Sequence, residues 1–234
     1  MPRLNQKVTN ELIDSLPAHE REKLLSRCTQ VDWKFGDIIC EANQIYQHVY
    51  FPLGGFVSLL TLIDDHPALE MGLVGNEGML GVNLVLGANK ASMQSIVQGT
   101  GSALAISAED FHQSLLDCPS LSTLLLRYIN VLLKQLTVVG ACLHFHSIES
   151  RMSRWLLMTQ DRTHGDRFYL THAFLAHMLG VRRSSVSLAA EALQKNHLIS
   201  YSRGNIKVQD RQGLRAASCQ CYQTMTDLYQ QVMD

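Results

Sequence analysis

Residues Leu170 to Ala189, LTHAFLAHMLGVRRSSVSLA, constrain this chain more than any other stretch. Two short helical patterns flank a glycine, which is the layout of a helix-turn-helix. Thr171 is suited to cap the first helix. Leu175, Ala176 and Leu179 share one helical face, and Ala176 is small enough to let a second helix approach. Gly180 supplies the sharp turn. Val181, Val186 and Ala189 carry the apolar pattern into the second helix. That leaves Arg183, Ser184, Ser187 and Leu188 on its open face, where side chains of this motif reach base edges. An ordinary pair of core helices would show a similar pattern, but the residues that follow argue against it. His197 to Tyr201 and Ile206 to Val208 read as two short strands around a turn at Gly204. A helix-turn-helix followed by a small basic hairpin is a winged helix. Thr171, Ser185, Arg203 and Lys207 are then placed to meet DNA phosphates.

The charge distribution points the same way. The net charge is −1 over 234 residues, yet residues 151–215 carry 11 Lys and Arg against 4 Asp and Glu. Residues 1–150 carry 9 against 15. A basic segment that coincides with the winged helix is the footprint of a DNA reader. The length allows two modest domains. Six cysteines, at 28, 40, 118, 142, 219 and 221, form no paired framework, and reduced thiols in the cytoplasm are expected. Met1 to Asn10 is polar, so no signal peptide is expected. No apolar run reads as long enough to span a bilayer, and no membrane partner is expected.

Along the chain, residues 10–27 read as a helix on Leu12, Leu16, Leu24 and Leu25. From Val31 to Ile106, short β-rich runs alternate with glycine turns: Asp37–Cys40, Val49–Phe51, Phe56–Leu60, Met71–Val74, Ser95–Gln98 and Ala103–Ile106. This spacing predicts a small β-barrel or jelly roll. Ser107–Asp110 resembles a helix start. Residues 119–147 form one long amphipathic segment. Leu121, Leu125, Tyr128, Leu132, Gln135, Val139 and Leu143 follow four- and three-residue steps, the spacing of a coiled-coil seam. Helix-turn-helix proteins bind pseudo-palindromes as two-fold dimers, so these seven are the expected homodimer seam. Ile148–Thr163 reads as a further helix. The expected class is α+β: a β-roll or jelly roll over 1–118, a dimerisation helix over 119–147, a winged helix over 148–215 and a helical tail over 216–234.

β-roll, long helix and winged helix, in that order and at this length, resemble the Crp–Fnr family of bacterial transcription regulators. The carrying residues are Leu170-Thr171, Leu179-Gly180-Val181, Arg183, Val186 and Leu198-Ile199, with Phe35-Gly36-Asp37 and Phe51-Pro52-Leu53-Gly54-Gly55 matching the early strands and turn of the roll. The resemblance implies a homodimeric regulator of double-stranded DNA whose β-roll senses an effector. RNA polymerase is an expected further partner. Cyclic-nucleotide binders of the family carry a Gly-Glu pair, then an Arg followed by Ser or Thr. The matching positions here are Gly81-Val82 and Ala91-Ser92, and both charged groups are missing. Lys90 lacks the planar fork that grips phosphate. Gly81, Val82, Lys90, Ala91 and Ser92 are therefore the candidate effector pocket, without cyclic AMP held in the family's manner. Cys28 and Cys40 do not reproduce the family's iron–sulfur cluster.

Other motifs carry less. Cys219-Gln220-Cys221 offers two sulfurs, which do not complete a four-ligand zinc site. His144 and His146 point about 200° apart on a helix, so they would not share a metal. Asp64-Asp65 reads as a solvated hairpin turn. No metal ligands and no cofactor are assigned, and no catalytic constellation points to an enzyme. The other function class consistent with the pattern is a nucleotide-sensing or scaffold protein whose winged helix grips a protein.

Overall fold

The computed structural model describes residues 9–64, 66–163 and 165–233. The chain forms two compact units, one of residues 1–58 with 74–129 and one of residues 59–73 with 130–234.

The first unit opens with two short helices rather than one. Pro17 has no N–H to donate and separates α1 (Glu11–Asp14) from α2 (Ala18–Leu25). Asn10 caps α1 from a buried position. Its Oδ1 accepts from the N–H groups of Leu12 and Ile13, while its Nδ2 donates to the carbonyls of Pro52 (3.0 Å) and Gly78 (2.9 Å). The strands are β1 (Thr29–Trp33), β2 (Ile38–Cys40), β3 (His48–Thr61), β4 (Leu69–Val74) and β5 (Gln94–Ser107). They form one sheet in the order β1-β5-β3-β4, with β2 also on β5. β1 and β2 run antiparallel to β5.

Two pairs of expected short strands are each one long strand. Val49–Phe51 and Phe56–Leu60 both lie in β3, and Gly54-Gly55 between them is no turn. Here the strand backbones close up: a Cβ on Gly55 would collide with the Gly99 carbonyl, and one on Gly101 with that of Gly54. Glycine serves this close approach instead of a reversal. A 3-10 turn (Val82–Leu86), α3 (Ala108–Asp117) and α4 (Pro119–Phe145) follow. The buried Glu20 carboxylate accepts from the Ser120 and Leu121 N–H groups and so caps α4.

The faces of α4 differ from the expected seam. Leu121, Leu125, Tyr128 and Val139 are buried within the chain itself, and Leu132, Gln135 and Leu143 are half-buried. Four of the seven are thus core residues of this chain, and three keep part of their surface open. The exposed residues of α4 include Thr123, Leu126, Asn130, Leu133, Thr137, Gly140 and His144. These too follow alternating three- and four-residue steps, so spacing alone could not tell the inner stripe from the outer. By length and composition α4 is also apolar enough to cross a membrane, contrary to the sequence expectation. Its exposed side nevertheless carries Arg127 and Lys134, which a lipid-facing helix would seldom tolerate.

The second unit contains α5 (Ile148–Thr163), β6 (Arg167–Tyr169), α6 (His172–Leu179), α7 (Arg183–Lys195), β7 (Ile199–Ser202), β8 (Asn205–Val208), α8 (Arg211–Ala217) and α9 (Cys221–Met233). α5 is its central element, with Met152, Trp155, Leu156 and Leu157 buried. The Trp155 indole donates to Glu70 at 2.8 Å. Arg211 donates to Asp161 (2.6 Å) and to the Tyr222 hydroxyl (2.9 Å), tying α8 to α5 and α9. The end of β3 from Leu59, the hairpin tip, β4 as far as Leu73 and α4 from Asn130 also belong to this unit. Asp64 in the hairpin tip adopts φ 49°, a turn conformation that Asp tolerates, and Asp65 lies outside the described residues.

Candidate nucleic-acid interface

The helix-turn-helix is built by its caps. The Thr171 hydroxyl oxygen accepts from the Phe174 N–H at 3.1 Å, opening α6. Gly180 closes it at φ 63° and ψ 41°, a left-handed conformation that only glycine enters without steric cost. The N–H of Gly180 returns to His177, and that of Val181 to Ala176 at 2.9 Å. α7 then starts on Arg182, whose backbone is extended and whose side chain makes no capping bond. Val186, Ala189, Ala190 and Leu193 bury one face of α7. The opposite face presents Arg183, Ser184 and Leu188, the last 69% exposed.

Arg182 is exposed beside them, and the sequence reading missed it. The signal was available: two adjacent arginines at a helix start cannot both be core. With the positive end of the helix dipole, Arg182, Arg183 and Ser184 make α7's first turn attractive to anions.

Ser187 and Ser185 are less open than expected, being half-buried. Ser187 Oγ donates to the Arg183 carbonyl (3.1 Å) and lies 2.8 Å from His172 Nδ1. The His172 ring stacks on Tyr201, with centroids 4.2 Å apart and planes at 18°. Burial, followed by the nearby Arg183 charge, pushes the His172 pKa below its usual 6.5. His172 and Tyr201 therefore link α6, α7 and the wing, a role not read from the sequence.

The wing is a three-stranded sheet in the order β6-β8-β7, one strand more than the expected hairpin. Arg203 (φ 48°) and Gly204 (φ 86°) form its two-residue turn, the primed type that suits strand twist. Arg203 is exposed at the tip. Lys207 sits opposite Arg167 on β6, with its ammonium 3.7 Å from Asp166. Asp166 also lies 3.8 Å from Arg167, so part of the wing's positive charge is offset locally. Of the arginines that made this segment basic, Arg151 and Arg154 are buried and Arg211 is paired. The open positive groups are concentrated at the start of α7 and on the wing.

The candidate effector residues fare differently. Gly81 has φ 93° and caps the 3-10 turn, with Val82 half-buried and Lys90 and Ser92 exposed. Ala91 is 1% exposed. Its N–H donates to Gln44 and its carbonyl accepts from Asn43. It packs in the interior of the roll and offers no charged group there.

No metal ligands were expected, yet the fold brings four together. The side-chain donor atoms of Cys142, His146, Cys219 and Cys221 all lie within 4.8 Å of one another. The contact with Cys219, helped by the Arg154 charge and opposed by burial, lowers the Cys142 thiol to about 4.

Residues 150–217 match the family described as the Crp-like helix-turn-helix domain. No curated protein matches the chain. Among solved structures, it is similar to a protein from Eubacterium rectale described as a Crp/Fnr-family transcriptional regulator (TM-score 0.70, 16% identity, covering 88% of this chain and 97% of that one). It is also similar to FixK2 from Bradyrhizobium japonicum (TM-score 0.69, 14% identity, 82% and 98%). A third is CLP, a c-di-GMP-responsive global regulator of Xanthomonas campestris (TM-score 0.68, 17% identity, 83% and 100%). Residues 150–217 thus match the Crp-like helix-turn-helix domain, in a chain whose fold is similar to that of these three structures.

Proposed function

We propose that this protein is a cytoplasmic transcription regulator that binds double-stranded DNA as a homodimer, with the β-roll as its sensing part. The observation that carries this reading is the open face of α7. It combines Arg183, Ser184 and Leu188 with Arg182 on one side, and the wing adds Arg203. Arg183 suits bidentate contact to a guanine edge, and Leu188 suits a thymine methyl. Ser184 and Ser187 tune the remaining positions. Thr171, Ser185, Arg203 and Lys207 hold phosphates, Lys207 less strongly because Asp166 shares its charge. The homodimer forms along the outer stripe of α4, centred on Leu126, Asn130 and Leu133, and not along the inner one.

Two copies of α7 related by a two-fold axis would read half-sites about one helical turn, ~34 Å, apart. Selection from random duplexes with the full chain tests this. An inverted repeat with that spacing is expected, and the Arg183→Ala variant should lose one guanine from it. Failure to enrich any repeat would refute the reading. RNA polymerase is the natural next partner of such a complex, and co-assembly on the selected DNA would show it.

A further inference from the structure

We propose that Cys142, His146, Cys219 and Cys221 form a closed zinc site that clamps the end of α4 to the α8–α9 junction. Each pair is preset by its own local structure. Cys142 and His146 are four residues apart, and the His146 N–H donates to the Cys142 carbonyl at 3.2 Å, so the last helical turn stacks both side chains on one face. Cys219 and Cys221 flank the reversal between α8 and α9, where the Tyr222 N–H returns to the Cys219 carbonyl at 3.1 Å.

The pairs then meet across the unit. Cys142 Sγ lies 3.5 Å from Cys219 Sγ, and Cys221 Sγ lies 3.5 Å from His146 Nδ1. A tetrahedral zinc with Zn–S bonds of about 2.3 Å would hold its sulfurs about 3.8 Å apart. The four donors thus need only small shifts to surround one ion. The three cysteines are buried, with Val138 packed against them. Three thiolates and an imidazole fill all four positions, which is the pattern of a structural rather than a catalytic zinc.

A second observation points to the same ion. Arg151 and Arg154 are buried close to the cluster, and their charges act on Cys142 and Cys219. Among the described residues neither arginine pairs with a carboxylate. Arg154 Nη1 reaches only the sulfurs of Met158 (3.3 Å) and Met225 (3.8 Å), and its Nε has no partner. Buried cations require a counter-charge. Zinc bound by three thiolates and a neutral imidazole keeps one net negative charge and offsets one of the two.

The test uses the full chain, purified under reducing conditions without chelator. Elemental analysis should give one zinc per chain. The Cys219→Ser/Cys221→Ser double variant should lose it, while Cys28→Ser, outside the cluster, should keep it. Cobalt exchanged for zinc should show the intense visible bands and sulfur-to-metal charge transfer of a tetrahedral thiolate site. If the double variant does not fold, His146→Gln serves instead, and its cobalt spectrum should shift or vanish. A folded, metal-free protein that takes up no cobalt would overturn the proposal. So would a Cys142–Cys219 disulfide found by mass spectrometry, iron with sulfide in place of zinc, or zinc retained at one per chain in the folded double variant.

Discussion

Replacing Leu133 with alanine separates the two stripes of α4. Leu133 is 59% exposed in the single chain, whereas Leu125 is fully buried. Fully burying a leucine stabilises by about 1.5–3 kcal/mol. The exposed share of Leu133 corresponds to about 1–2 kcal/mol per chain by the same scale, and two-fold symmetry doubles it. Alanine keeps part of that contact. The expected loss is therefore about 1.5–3 kcal/mol per dimer, or about a 10- to 100-fold rise in the dimer dissociation constant. Leu125→Ala should act differently. It opens a cavity in the fold, costing about 2–5 kcal/mol of stability, and lowers the melting temperature at every concentration. Sedimentation equilibrium across a concentration series reads the first effect, and thermal melts read the second. A Leu133→Ala dissociation constant within twofold of the parent's would refute the outer-stripe assignment. A parent that sediments as a monomer at micromolar concentration would refute the dimer itself.

Three further outcomes follow from the site geometry. Arg183→Ala should cost about 1–3 kcal/mol on the selected operator and relax one base, while Arg203→Ala should weaken all sequences alike and lower the salt slope by about 1; quantitative gel shifts over a salt series distinguish them. His172 should titrate below 6.5 by NMR and move up in Arg183→Ala, since burial and that arginine depress it. Because the unfolded chain then binds more protons than the folded one, the His172 contribution to stability is complete above pH 6.5 and is lost as pH falls below it; a melting temperature flat through that range would count against this. Cyclic AMP should bind no tighter than millimolar by calorimetry: Val82 and Ala91 forgo two charge-assisted hydrogen bonds of about 1.5–3 kcal/mol each, and a micromolar constant would show the pocket was misplaced.

The parts of this molecule that were legible in its sequence are those coded locally. Thr171 and Gly180 mark the ends of α6 by their own chemistry, a hydroxyl that accepts an N–H and a residue free to enter positive φ, so the helix-turn-helix could be placed before any tertiary contact was known. Gly54-Gly55 misled because glycine answers two needs: it was read as a turn, and the real constraint was the backbone of β5 lying against it. β6 escaped notice because three residues, Arg167–Tyr169, carry too short a pattern to register; pairing with β8 makes them a strand.

The long helix and the cysteine cluster show why local coding stops there. A 3-4 repeat fixes the angle between side chains on α4 but not which stripe meets the core, and both stripes satisfy it. His144 and His146 do point apart as their spacing requires: His144 is exposed, and His146 turns toward Cys221. That angle separates His146 from His144 and leaves it free to meet residues from elsewhere in the chain. The two cysteines that lie beside Cys142 and His146 stand more than 70 residues further along the chain, beyond the reach of any periodicity. Among the described residues, two buried arginines pair with no carboxylate, and the proposed site rests on that imbalance as well as on its donor geometry. In the sequence alone they counted as part of a DNA-binding surface; only burial shows that their counter-charge must be sought inside the fold.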